Sequence, residues 1–152
     1  MKKILSVILA VTLTALSLIS CTPTVAEEGD VTVVVECADG SFEVYKTYLQ
    51  NVKNKDEGAL GILEHLRDRE ENPLALTCED GAYGAFITSI GSIKQDAASG
   101  EYITVYTTTL ADSYEDAPTI TFEGALLYSS GVGVSFMSVP VGTVILFRLE
   151  KF

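Results

Sequence analysis

The only histidine in the chain, His65, stands without a nucleophile motif around it. Triad chemistry needs a serine or cysteine within reach of an oriented imidazole. His65 therefore reads as a helix histidine rather than a catalyst. Glu57, Glu64 and Glu123 have the side chains for glycosidic acid–base chemistry, which requires two carboxylates held together across a bond. Nothing in their spacing pairs them. Asp112, Glu115 and Asp116 crowd one loop with Tyr114. Calcium takes several oxygens from a bent backbone, but the alternating ligand spacing of a helix–loop–helix calcium site is missing, and a solvated acidic loop is the simpler reading. Gly81, Gly84, Gly91, Gly131 and Gly133 are scattered through turns rather than gathered ahead of a helix as a phosphate cradle.

The aromatic residues point elsewhere. Tyr83, Phe86, Tyr102, Tyr106, Tyr114 and Tyr128 all fall in the strands and loops of the second half. Rings with few charges around them can form a platform for a ligand or a protein partner. Tyr102 and Tyr106 share one face of a strand by the two-residue period. The expected platform is Tyr83, Tyr102, Tyr106 and Tyr128, with residues 129–135 as a loop at its edge. Ordinary strand packing is the competing reading for these rings.

The first twenty residues are of a different kind. Met1-Lys2-Lys3 is a basic start, and residues 4–19 carry no charge and are rich in Leu, Ile, Val and Ala. This is the basic-then-apolar pattern of a secretory signal, and it is short for a spanning helix, which takes about 20 apolar residues. Leu18-Ile19-Ser20-Cys21 resembles the lipobox of bacterial lipoproteins. That resemblance implies cleavage before Cys21, lipid on its sulfur, and a bacterial source. Two acyl chains are enough for stable anchoring. Residues 1–20 are thus expected to be a signal peptide and 21–30 a lipidated cysteine with a polar tether. The domain is expected over 31–152. Thr22 after the cysteine, in place of Asp, resembles lipoproteins not retained at an inner membrane, and either membrane remains open.

Charge narrows the partners. Ten basic residues face 21 acidic ones, a net −11 that becomes −13 once Lys2 and Lys3 leave with the signal. Such a domain repels phosphate backbones, so nucleic acid is not an expected partner. Export would place Cys37 and Cys78 where disulfides persist. They allow one intramolecular bridge, and two buried free thiols fit equally well. They are too few, and too far from His65, for a zinc site. No metal or cofactor is implied.

The elements that would position these residues follow from patterning. Residues 31–37 are β-branched and 42–48 alternate, with Asp39-Gly40 as a hairpin signal between them. Residues 57–70 read as one amphipathic helix with Ala59, Leu60, Leu63 and Leu66 on its apolar face, Asp56 as its N-cap and Asn72-Pro73 as its stop. Strands are expected at 74–78, 86–90, 102–108, 119–122, 132–137 and 143–149. The first and last strands are the most continuously apolar, as strands buried on both faces are. A central pair built from the two chain ends, with one helix on one face of a mixed sheet, is an α+β, β-grasp-like arrangement. What covers the opposite face is left open.

At this level residues 30–152 resemble the transcobalamin-like C-terminal domain of bacterial exported proteins. The likeness rests on the 31–48 hairpin, Gly58-Ala59-Leu60-Gly61-Ile62-Leu63-Glu64-His65-Leu66, Gly84-Ala85-Phe86-Ile87-Thr88-Ser89-Ile90-Gly91, and Val139-Pro140-Val141-Gly142-Thr143-Val144-Ile145-Leu146-Phe147. It implies a β-grasp-like fold and a binding rather than catalytic role, with a corrinoid or other small molecule as ligand. Many such domains carry a Trp-containing segment where this chain has Glu101-Tyr102-Ile103-Thr104-Val105-Tyr106-Thr107-Thr108, and this chain has no Trp. The reading is a membrane-anchored, extracytoplasmic, non-catalytic lipoprotein. Its partners are membrane lipid through Cys21 and a small ligand, or alternatively another cell-surface protein docked by a structural or adhesive module.

Overall fold

The computed structural model describes residues 27–152. The signal and Cys21 lie outside the described residues. The β-branched start forms β1 (Val31–Glu36), which turns through Gly40, at φ +81°, into β2 (Phe42–Thr47). Helix α1 (Gly58–Arg67) follows. Then come β3 (Leu76–Gly81), β4 (Gly84–Ile90), β5 (Ile93–Lys94), β6 (Glu101–Thr107), β7 (Thr119–Phe122), β8 (Ala125–Ser129) and β9 (Val144–Lys151). Among the described residues no helix is long and apolar enough to cross a membrane.

Six strands form one sheet in the order β2-β1-β9-β6-β8-β7, and β3-β4-β5 form a second. β1 and β9 are interior neighbours and run parallel, with Val33 beside Ile145 and Val35 beside Phe147. The other pairings in both sheets are antiparallel. The chain is thus α+β with a mixed sheet. The continuous apolar runs of β1 and β9 are explained by burial on both faces. Val31, Val33 and Val35 point to one core and Val34 to another, while Ile145 and Phe147 part from Leu146 in the same way.

The larger core lies between the six-stranded sheet and a layer made of α1 and the small sheet. Ala59, Ile62, Leu63 and Leu66 of the helix meet Val33, Val35, Ile145 and Phe147 there, with Ile87, Ile90 and Ile93 beside them. Burying side chains of this size contributes about 1.5–3 kcal/mol each. The opposite face, left open by the sequence, is covered by the sheet itself. Phe122 on β7 reaches Phe42 on β2, with ring centroids 5.1 Å apart and planes at 68°. These strands are the two ends of the sheet order, so the sheet curls until its edges meet. Val34, Tyr106, Leu127 and Leu146 fill the inside of the curl.

Three expectations are corrected. Residues 132–137 are not a strand but a loop. Their backbone serves the helix instead: Val134 O accepts the Leu60 N–H at 3.1 Å. Helix N-termini leave donors without intrahelical partners, and here the loop supplies one acceptor. Asp56 does not cap α1. It sits in a 3-10 turn, Lys55–Glu57, and the N-cap is Glu57 without a side-chain bond. The helix also ends at Arg67 rather than 70, which frees Arg69 to reach Glu27 at 2.8 Å. Finally, β8 is a strand that patterning missed. Its turn is Glu123-Gly124, both at positive φ, the backbone of a two-residue hairpin loop without the usual Asn or Asp.

Candidate functional site

The four platform tyrosines do not come together. Tyr83 is 89% exposed, in the turn between β3 and β4 of the small sheet. Tyr102 lies at the start of β6 and packs on Phe152, with centroids 6.2 Å apart. Tyr106 is 3% exposed, inside the curl, and its hydroxyl donates to Glu150 Oε1 at 2.7 Å. Burial first, and then that carboxylate, push its pKa up to about 12. Tyr128 is half-buried and lies opposite Thr107, whereas Tyr106 lies opposite Ser129. By the strand period Tyr128 and Tyr106 are therefore on opposite faces of the sheet.

A different set of rings is gathered around the loop at 130–137. The Tyr114 ring lies at Gly131, where an added Cβ would sit 3.3 Å from it. Gly133 approaches the Tyr83 backbone. Phe136, 65% exposed, lies against Gly84, whose φ of +90° and crowded Cα exclude a larger residue. Val132, on the same loop, is also exposed. Polar contacts hold the loop at both ends: the Ala85 N–H donates to Ser135 Oγ at 3.0 Å, the Ser138 N–H to Asp112 Oδ2 at 2.8 Å, and the Gly131 N–H to the Asp112 carbonyl at 2.8 Å. Asp112 is 5% exposed, so the acidic loop contributes a structural clamp, while Glu115 and Asp116 remain at the surface. Under Phe136 a groove of about 430 Å³ runs past Leu49, Ile62, Met137 and Val139 to the start of α1. An apolar rim beside a groove is suited to holding a flat apolar molecule by its face. Phe136 was missed because an isolated Phe in a predicted strand gives no sign of facing solvent.

The other candidates are dispersed. Glu64 pairs with Arg67 at 3.6 Å, Glu123 sits in the β7–β8 turn, and Glu57 precedes the helix. His65 lines a small polar hollow with Asn51, Glu64 and Asp68. Among the described residues no three His, Cys, Asp or Glu side chains are placed to hold a metal ion. Cys37, in the turn after β1, and Cys78, on β3, are free thiols, so the bridge that their number allowed is not formed. Burial raises the Cys78 pKa above its ordinary value, only partly offset by Arg67. Cys37 instead accepts a hydrogen bond from Ser92 Oγ at 3.2 Å. The last residues of the expected tether are docked on β2: the Glu27 carboxylate accepts the Lys46 N–H at 2.7 Å, and Asp30 Oδ1 accepts the Leu49 N–H at 2.7 Å.

No protein-family model and no curated protein sequence matches the chain. Solved structures do. A protein from Ruminococcus gnavus ATCC 29149, named for a conjectured metal-binding role, aligns with a TM-score of 0.54 at 16% identity, over 82% of this chain and 99% of its own. Haptocorrin in complex with Cbi aligns with a TM-score of 0.51 at 15% identity, over 80% of this chain. The match spans 25% of haptocorrin's length. At these identities the likeness is one of fold.

Proposed function

We propose that the chain is a lipid-anchored, extracytoplasmic binding protein whose β-grasp-like, transcobalamin-like domain captures a small ligand such as a corrinoid. The observation that carries this reading is the set of exposed side chains Tyr83, Tyr114, Val132 and Phe136 around the 130–137 loop, with Phe136 at the edge of a groove, on a domain that shares its fold with part of haptocorrin. Several large side chains left in solvent close together mark a surface for interaction. Cys21 supplies the anchor in this reading, and no residue acts as a catalyst. The metal-binding name of the R. gnavus protein is not carried over, because the described residues offer no ligand cluster.

Calorimetric titration of cobalamin and cobinamide into residues 22–152 tests it. Micromolar or tighter binding, about −8 kcal/mol, that is lost in Tyr83→Ala with Phe136→Ala supports corrinoid capture at the rim. Absence of heat and of thermal stabilisation rejects it. The same exposed rings also suit a protein surface. Docking of another cell-surface protein is the second reading, and rim variants that abolish attachment to partner cells without any small-molecule effect would favour it.

A further inference from the structure

Four neighbouring strands of the large sheet, β2, β1, β9 and β6, share an end. There β1 and β9 begin, parallel and side by side, while β2 and β6 finish antiparallel to them. The segments that enter or leave at this end are 48–51, 108–113 and 138–143. Backbone bonds tie them to the sheet and to residue 30. The Gly142 N–H donates to the Asp30 carbonyl at 2.6 Å, the Thr32 N–H to the Thr143 carbonyl at 3.0 Å, and the Thr108 N–H to the Val144 carbonyl at 3.1 Å. The Thr143 N–H bonds back to the Pro140 carbonyl at 3.1 Å, and Gly142 has φ +88°. Residues 140–143 are therefore a tight turn with Val141 at its corner.

These segments put apolar side chains in solvent. Val141 is 71% exposed, Leu110 64% and Tyr48 38%. Neighbouring strands lie ~4.8 Å apart, so a row across four of them spans about 15 Å. The three segments carry one charged residue, Asp112, and it is buried. The turns at the opposite end of the sheet instead expose Asp39, Lys94 and Asp96. The acids that border the apolar row belong to the incoming chain and are engaged: Glu28 Oε2 accepts the Tyr48 hydroxyl at 3.3 Å, and Asp30 Oδ1 accepts the Leu49 N–H. Cys21 stands six residues before Glu27, which is docked on Lys46. A chain spans at most ~3.6 Å per residue, so this tether reaches no more than about 22 Å. Resting on the lipid anchor proposed above, the apolar row is thus held close to a bilayer. Tyrosine suits the headgroup level of a membrane, and exposed aliphatic side chains suit the acyl boundary beneath it. A short tether raises the effective concentration to the order of millimolar, so three side chains suffice that would not hold a vesicle by themselves. We infer that this end of the sheet seats on the bilayer that holds the lipid, with Val141 and Leu110 among the acyl chains and Tyr48 at headgroup level.

The chain has no Trp, so a single substitution supplies a unique fluorophore. Val141→Trp, Leu110→Trp and Phe152→Trp are made separately in the full chain, processed in a bacterium and reconstituted into phosphatidylcholine vesicles with acyl-brominated lipid. Phe152, 80% exposed, lies beyond the far end of β9. The emission of Trp at 141 and at 110 should shift to the blue and be quenched by the bromines, and that of Trp at 152 should not. Leu110→Asp in the Val141→Trp protein should lower the quenching about twofold or more, because a carboxylate is costly to bring into the bilayer. Flotation with the vesicles and the mass of the acylated chain report the anchor independently. A chain that is acylated and floats, but shows no quenching at 141 and 110, overturns the seating and leaves the anchor standing. Equal quenching at all three positions overturns it as well, since no end is then preferred. A chain without acyl groups that does not float overturns the anchor, and the seating falls with it.

Discussion

At one end of β4 the chain presents Gly84 to the ring of Phe136, and at the other it presents Gly91 to the carboxylate of Glu43. Both glycines have positive φ, +90° and +54°, and both leave space that a side chain from a distant segment fills. The strand between them is about 20 Å long at ~3.3 Å per residue. The two ends nevertheless present opposite chemistry. The Gly84 end supports exposed rings on a loop that the buried Asp112 clamps. At the Gly91 end the Glu43 carboxylate accepts the Tyr45 hydroxyl and the Ser92 N–H, at 2.9 and 3.1 Å. What each end of the strand presents is decided by the segment that folds over the glycine, not by the strand.

The comparison can be broken most strongly at Gly84. Gly84→Ala forces an L side chain into φ +90° and into Ser135 and Phe136, with an expected loss of about 2 kcal/mol. Denaturant unfolding should show it, and ligand binding at the rim should fall. Gly91→Ala should cost about 1–2 kcal/mol, because φ +54° is the milder strain but the carboxylate must move. Denaturant unfolding should show this smaller loss, and ligand binding at the rim should persist. Ser135→Ala removes the acceptor of the Ala85 N–H and should lower stability by about 1 kcal/mol. Faster hydrogen exchange confined to the 130–138 loop and the start of β4 would check it.

Tyr106 lies at neither end and should not affect ligand binding at the rim at neutral pH. Its pKa is raised in the fold to about 12 from an ordinary 10. The stability that this contributes is full below pH 10 and is lost as pH rises through 12. Thermal unfolding should therefore weaken across that window, and more shallowly in Tyr106→Phe. The smallest effect is expected at His65→Ala. The histidine lines only a small polar hollow, so stability should stay within about 0.5 kcal/mol and ligand binding should not change.

Patterning located most elements because their burial is periodic. β1, β2, β6, β7 and β9 fall where β-branched or alternating runs were expected, and α1 within one residue of its expected start. The parallel β1–β9 pair was legible from apolar runs that only two-faced burial explains. The misses share a cause. The loop at 132–137 has strand-like residues, but its Val134 carbonyl is taken by the helix end and its Gly133 carbonyl by Phe136 within the loop. β8 was hidden behind a Glu-Gly turn that local preference does not favour. The tyrosine platform failed because Tyr106 and Tyr128 face opposite sides of a curled sheet.

By itself the sequence determined the α+β class, the positions of the strands and helix, the acidic surface, and the signal-like first twenty residues. Each of these depends on composition or on neighbours a few residues apart. The tertiary structure alone decided that the sheet curls until Phe42 meets Phe122, and that Tyr106 is buried while Phe136 is not. It alone brought Glu43 to Ser92 across 49 residues, and Ser135 to Ala85 across 50. Contacts of that span depend on how whole layers pack, and local spacing carries no record of them.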